Sequence, residues 1–337
     1  MEPIATFDAR APQDQIVLEG GSVIRNGVTV GIAVRGVVAC ALGVLGLTAC
    51  NGHNPPDPGT IAPDPTATEA RPLAPQTAAA QASAFRDGAG VPRDETRALA
   101  LFGSACEGGV AKACGDLGAM YADGVGIPKD PGRAIPLFQS ACDGSDFGAC
   151  ARLGEMVRAG SGVGKDDGRA VDLFTRACAG GIARACTKQG NMVLAGAGAV
   201  KDATRASGLF QKGCDGADLE GCVDLGELYS RGDGVTQSFG MAVDLFDRAC
   251  SGGSAEGCRH LGEMYSDGRG VARSPMRSVD LWSHACEGGD YTACVELAKL
   301  YQNGRGVRTD RERAVALYRR ACDAGVTMGC DGARQIR

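Results

Sequence analysis

Apolar positions along residues 111–326 recur at helical spacing, and the whole pattern then recurs as a block. In one block Leu225, Leu228 and Tyr229 stand at i, i+3 and i+4, and Val243, Leu245, Phe246 and Ala249 follow the same rule further on. This is the signature of two amphipathic helices rather than of strands. The spacing predicts a helix A over about residues 222–231 and a helix B over about 239–250. Both are near three turns long, too short to persist in isolation, so they need stacking.

The block length is fixed by cysteine. Cys106, Cys142, Cys178, Cys214, Cys250, Cys286 and Cys322 step by 36 without a slip, and so do Cys114, Cys150, Cys186, Cys222, Cys258, Cys294 and Cys330. Six full units fill residues 111–326, a degenerate capping unit precedes them at 75–110, and 327–337 is a truncated one. Gly124, Gly160, Gly196, Gly232, Gly268 and Gly304 fall just past helix A, where a left-handed residue ends a helix. Asp130, Asp166, Asp202, Ser238, Ser274 and Asp310 are N-cap residue types at the start of helix B. Within helix B one position stays small (Ala134, Ala170, Ala206, Ala242, Ser278, Ala314) and another aromatic (Phe138, Phe174, Phe210, Phe246, Trp282, Tyr318). Alternating small and large residues let neighbouring helices interdigitate. Units of this kind bury their faces only against one another, which makes the chain an αα-hairpin solenoid.

Composition agrees with many turns and a thin core: of 337 residues 52 are glycine, and aromatics make up only 5%. A net charge of −5 gives no basic stripe for nucleic acid. Sixteen cysteines are too many for an ordinary reduced cytosolic chain without metal.

The N-terminal region points to export. Residues 36–49, GVVACALGVLGLTA, are a 14-residue apolar run behind Arg35, suited to a signal-peptide core and short for a bilayer span. The run ends in Leu47-Thr48-Ala49-Cys50, which resembles a bacterial lipobox and implies lipidation of Cys50. The Pro-rich segment 50–74 reads as a disordered tether. A retained anchor beginning near Val28 is the alternative, against which the charge of Arg35 counts. Residues 1–27 carry four acids and two arginines, unlike a short positive leader, so translation is expected to start at Val28 or Val34. Asn51 stands where aspartate would signal inner-membrane retention, so the protein is expected in the outer membrane or facing the periplasm.

The run LGxxYxxGxGVxxDxxxAxxLFxxAC, repeated over about residues 75–337, resembles the Sel1-like repeat family, a relative of the tetratricopeptide repeats. The paired cysteines resemble its cysteine-rich, Hcp-like branch. The resemblance implies an all-α, right-handed superhelix of αα-hairpins with one disulfide per 36-residue repeat. Three departures stand out: Val157 and Val193 replace tyrosine, Gln189 replaces leucine, and Pro136 lies inside a helix B, where a kink is expected.

Between Cys250 and Cys258 the chain leaves helix B, turns and enters the next helix A, so a disulfide would close a nine-residue loop. In the chain-entropy model that contributes about 2.5 kcal/mol. With Cys40 removed in the leader and Cys50 lipidated, 14 cysteines remain, an even number. Zinc bound by four cysteines of neighbouring repeats is the second reading, although His53, His260 and His284 are single and the last two sit in columns expected to be solvated. A redox pair is the third, and C-x7-C lacks the tight spacing of C-x-x-C. The staple is preferred.

The cysteine-rich branch is associated with penicillin binding and weak β-lactamase activity, so a hydrolase is the alternative function. No serine is followed three residues later by lysine, no histidines cluster, and no cofactor motif occurs. What remains is a surface. In solenoids of this kind the A helices line the concave face, and their solvent-facing columns vary: Asp116, Arg152, Lys188, Asp224, His260 and Glu296 in one, Ala119, Glu155, Asn191, Glu227, Glu263 and Lys299 in the other. A groove of mixed charge suits an extended protein or peptide partner in the cell envelope, bound by a monomer.

Overall fold

The computed structural model describes residues 22–25, 28–31 and 73–336. Two units are distinct, residues 1–68 and 69–337. In the first, β1 (Ser22–Arg25) and β2 (Val28–Gly31) pair antiparallel with Ser22 opposite Gly31 and Arg25 opposite Val28. The apolar run 36–49, Cys50 and the Pro-rich segment up to residue 72 lie outside the described residues.

The second unit is helical throughout its described residues. Helices α1 (Pro75–Asp87), α3 (Ala111–Asp123), α5 (Phe147–Ala159), α7 (Ala183–Ala195), α9 (Leu219–Arg231), α11 (Ala255–Asp267), α13 (Tyr291–Asn303) and α15 (Thr327–Gln335) are the A helices. They alternate with the B helices α2 (Glu95–Glu107), α4 (Pro131–Asp143), α6 (Asp167–Ala179), α8 (Ala203–Asp215), α10 (Phe239–Ser251), α12 (Pro275–Glu287) and α14 (Arg311–Asp323). Each packs chiefly on the helices before and after it, as in a solenoid. All but the last are 13 residues long.

Helix B starts where the cap residues indicate. Asp94, Asp130, Asp166, Asp202, Ser238, Ser274 and Asp310 each accept a hydrogen bond from the backbone N–H three residues on. Helix A begins three residues before the predicted start, at Leu219 rather than Cys222. The missed turn has little apolar pattern, and its cap position is Val110, Ile182 or Val326 in three units, which carry no cap signal. Asp146, Ser254 and Asp290 do cap it, accepting from Ala149, Gly257 and Ala293 N–H.

The core is one layer between A and B helices. Phe102, Phe138, Phe174, Phe210 and Phe246 are all at most 2% exposed. Except for Phe102, which faces α1, a helix without glycine, their direct partners are glycines of helix A: a Cβ at Gly226 would fall 2.6 Å from Cε1 of Phe246. Gly118, Gly154, Gly190 and Gly262 meet Phe138, Phe174, Phe210 and Trp282 in the same way. The alanine column of helix B is buried as well, but the closest fit lies across the A–B interface, between the rings of helix B and the glycines of helix A.

The three departures have local solutions. Val157 and Val193 are fully buried where the tyrosines of other units are mostly half-exposed. Gln189 is buried and donates to Thr175 Oγ1 at 2.6 Å. Pro136 does not shorten or divide α4. Pro136 and Gly132, whose carbonyl loses its usual donor, are both exposed, so that carbonyl is open to solvent.

Seven disulfides join Cys106 to Cys114, Cys142 to Cys150, Cys178 to Cys186, Cys214 to Cys222, Cys250 to Cys258, Cys286 to Cys294 and Cys322 to Cys330. The turn inside each is left-handed at one residue. Five units place glycine there, as at Gly253 (φ 97°), but two place Ser145 (φ 71°) and Ala217 (φ 65°). A Cβ in this conformation costs about 1–2 kcal/mol, partly offset by the greater unfolded-state freedom of glycine. Ala217→Gly is therefore expected to raise stability by about 0.5–1 kcal/mol in urea unfolding, and Gly253→Ala to lower it by a similar amount.

Candidate functional site: the inner helical face

Successive A helices touch, α7 with α9, α9 with α11 and α13 with α15, whereas no two successive B helices come as close among the described residues. The stack therefore curves toward the A helices, which form its inner face. Asp116, Arg152, Glu155, Lys188, Asp224, Glu227, His260, Glu263 and Glu296 all lie on these helices, and all are half-buried.

Most of these side chains are tied to a neighbouring repeat. Arg86 reaches Asp116 at 3.1 Å from α1. Arg152 forks onto both oxygens of Asp123 at 2.8 Å and lies over the Phe138 ring. Lys188 donates to both oxygens of Glu220 at 2.7 and 2.8 Å. Glu296 pairs within its helix with Lys299 at 2.6 Å. Glu155 has no ionic partner among the described residues. The partners Arg86, Asp123 and Glu220 were not legible in advance, since each lies roughly 30 residues from the residue it holds, at a register position only the stacking defines.

The densest cluster joins α9, α11 and the start of α13. His260 stacks on Phe246 with ring centroids 4.9 Å apart and planes 17° apart. Its Nε2 stands 3.1 Å from Glu227 and its Nδ1 3.2 Å from Glu263. Arg259 binds Asp290 at 2.7 Å, Glu263 at 2.9 Å and Glu256 at 3.3 Å. His260 is thus no solvated surface residue, as its column suggested: its side chain is 13% exposed. His284 is exposed.

Burial opposes charge on His260, but the hydrogen bonds to Glu227 and Glu263 outweigh it, and its pKa is pushed up to about 9. Arg259, with one guanidinium nitrogen 2.8 Å from the same Nε2, opposes this, yet two carboxylates prevail over it. Glu227 is correspondingly held below its ordinary value, chiefly by His260. Asp224 goes the other way: burial, then the nearby charge of Glu220, pushes it up to about 7, and its Oδ2 has no hydrogen-bond partner among the described residues.

These shifts set a pH dependence. A histidine raised from 6.5 to about 9 contributes its full stability below pH 6.5 and loses it as pH rises through 9. An aspartate raised to about 7 costs stability progressively between pH 4 and 7. Both slopes run downward with pH. After discounting for solvent, the His260 part is about 2 kcal/mol. His260→Gln is expected to flatten the urea-midpoint profile between pH 6.5 and 9 but not below it; Asp224→Asn should flatten it between pH 4 and 7.

The spaces between A helices are shallow clefts. One between α9 and α11 encloses about 180 Å³ and is lined by Glu227, Arg231, His260 and Glu263 among others. That is below the range usual for small-molecule sites. Among the described residues no three His, Cys, Asp or Glu side chains are placed to hold a metal ion. No helix among them is long and apolar enough to cross a membrane.

A curved stack of αα-hairpins with a charged inner groove and a staple in every B–A turn defines a repeat scaffold protein. The chain belongs to the Sel1 repeat family: residues 77–110, 111–146, 148–182, 183–218, 219–254, 255–290 and 292–326 each match the Sel1 repeat. Among solved structures it is similar to c5321, a protective antigen of uropathogenic Escherichia coli strains with an SLR fold, at 26% identity and a TM-score of 0.70 over 76% of this chain. The chain spans only about half of that relative, 55% of its length. A Sel1 repeat protein of Oxalobacter formigenes shares the fold at 22% identity and a TM-score of 0.66, covering 78% of this chain and 76% of that one. The Helicobacter pylori cysteine-rich protein B is also similar, at 26% identity over 39% of this chain and 94% of its own, with a TM-score of 0.33. No curated protein sequence matches the chain. Seven Sel1 repeats make a repeat scaffold, and seven disulfides point to an oxidising compartment outside the cytoplasm.

Proposed function

We propose that this protein is a lipid-anchored scaffold of the bacterial envelope, held by Cys50 and a Pro-rich tether, whose inner groove binds an extended segment of another envelope protein. The observation that carries the reading is the row of half-buried charged side chains on the A helices, rigidly held between repeats above shallow clefts. Preorganised polar groups in an open groove recognise an extended chain at low entropic cost. The Thr48-Ala49-Cys50 sequence behind an apolar run supports the lipid anchor, and the disulfides support export.

Photo-crosslinking from Glu155 in the intact protein, expressed in its own envelope, should trap a discrete partner that Arg152→Glu releases. Recovery of no partner, or of the same spectrum from a crosslinker on the outer B helices, would remove the reading. For the anchor, Cys50→Ser should abolish incorporation of labelled palmitate and free the protein from the membrane fraction.

A further inference from the structure

The N-terminal end of helix B carries an arginine in six of seven units: Arg97, Arg133, Arg169, Arg205, Arg277 and Arg313. Four have a structural reason. Arg97 lies over Phe85, Arg133 over Tyr121, Arg277 over Tyr265 and Arg313 over Tyr301, at 4.6–5.7 Å from the ring centroids. In the two remaining units the ring is gone, replaced by Val157 and Val193, yet Arg169 and Arg205 persist. Arg205 has no ion pair or ring partner among the described residues, and Arg169 reaches only the neutral Gln139, at 2.9 Å.

The same two units hold the most basic of the inter-helix clefts. Between α5 and α7, Arg158, Lys165 and Lys188 line a space of about 270 Å³ with Met192 and Ala195; Asp167 in the same lining pairs with Lys165 at 3.4 Å and Glu220 holds Lys188 at 2.7 Å, which leaves Arg158 as the uncompensated cation. Arg158 is exposed and unpaired among the described residues. The loop after α7 closes on the start of α6, since a Cβ at Gly198 would fall on the backbone of Asp167, so cleft and arginine edge are continuous. In the neighbouring α3–α5 cleft the balance reverses, with Asp123 and Glu155 set against Arg152.

We infer that the α5–α8 segment is an acidic-peptide site: Arg158 and Lys165 in the cleft and Arg169 and Arg205 on its rim pair with successive carboxylates of an extended partner segment. A planar anionic surface fits less well. The next unit along the edge has Gln237 and Met241 at the positions of Lys201 and Arg205, and the two units before hold Arg97 and Arg133 on the Phe85 and Tyr121 rings, so the ring-free arginines are confined to two units rather than continued as a flat face would need. The space between α5 and α7, about 270 Å³, is large enough for a side chain of such a segment. This deepens the scaffold reading above and rests on it by naming the chemistry of the partner.

The test uses the intact oxidised protein and three fluorescein-labelled octapeptides, alternating alanine with glutamate, lysine or glutamine, followed by anisotropy. The glutamate peptide is expected to bind, the other two not. Arg158→Glu/Lys165→Glu should weaken it at least tenfold, and Arg205→Glu severalfold, with unchanged helical circular dichroism. Lys212→Glu, on an exposed lysine outside the cleft, should leave binding as it is. No binding of the glutamate peptide, equal binding of the lysine peptide, or full affinity in the double variant each overturns the site. So does competition by phosphatidylglycerol vesicles but not by unlabelled glutamate peptide. If the Glu155 crosslinker still traps a partner and the double variant traps it as well, the site fails while the scaffold reading stands.

Discussion

Reducing the seven disulfides is expected to unfold the solenoid under conditions where the oxidised protein is fully helical. Each staple closes a loop of nine residues across one B–A turn, with Cα atoms 4.5–4.8 Å apart. The chain-entropy model assigns about 2.5 kcal/mol to each, and because the loops do not overlap the contributions add, to about 18 kcal/mol. A natural domain is stable by about 5–15 kcal/mol in total. The core that would have to make up the difference is one layer thick, built on one fully buried helix B aromatic in most units. The helical circular dichroism at 37 °C should therefore collapse on adding dithiothreitol and return on reoxidation. Cys250→Ser/Cys258→Ser should cost about 2.5 kcal/mol in urea. A reduced protein that keeps both its signal and its midpoint would place the stability in inter-repeat packing instead. The expectation joins stability to location, since a fold that depends on these bonds persists only where they form.

How far the sequence alone leads depends on what repeats. The cysteine register, the caps at Asp130 and Asp166 and the aromatic column all recur every 36 residues, so they average out local noise and locate helix B and its staple. The first turn of helix A is blurred because its cap position alternates between Asp146 or Ser254 and the apolar Val110 or Ile182. The hairpin of β1 and β2 does carry a signal, an Asn26-Gly27 pair between two short apolar runs, but it lies beside the longer apolar run 36–49 that dominates the hydropathy of this region. The groove residues are found as columns, but their state is not. Whether Arg152 is free or held by Asp123, or whether His260 is solvated or stacked on Phe246, depends on contacts between repeats. Such contacts have no signature along the chain.

Phe246→Ala is the single substitution expected to cost most. The ring is 2% exposed and fills the space left by Gly226, so its removal opens a cavity that no helix A side chain can enter. Burial and cavity terms for such a change amount to about 3–5 kcal/mol. Phe246→Leu should cost clearly less by retaining part of the volume. A second effect separates this site from the equivalent Phe174, whose ring supports no histidine. Loss of the stacking surface frees His260 to move away from Glu227 and Glu263, so its titration should fall from about 9 toward the ordinary 6.5. Urea unfolding measures the first effect, and proton NMR of the His260 ring across pH 5–10 measures the second. A destabilised variant in which His260 still titrates near 9 would show that the two carboxylates alone hold the imidazolium, and that the core ring takes no part in setting the groove's charge.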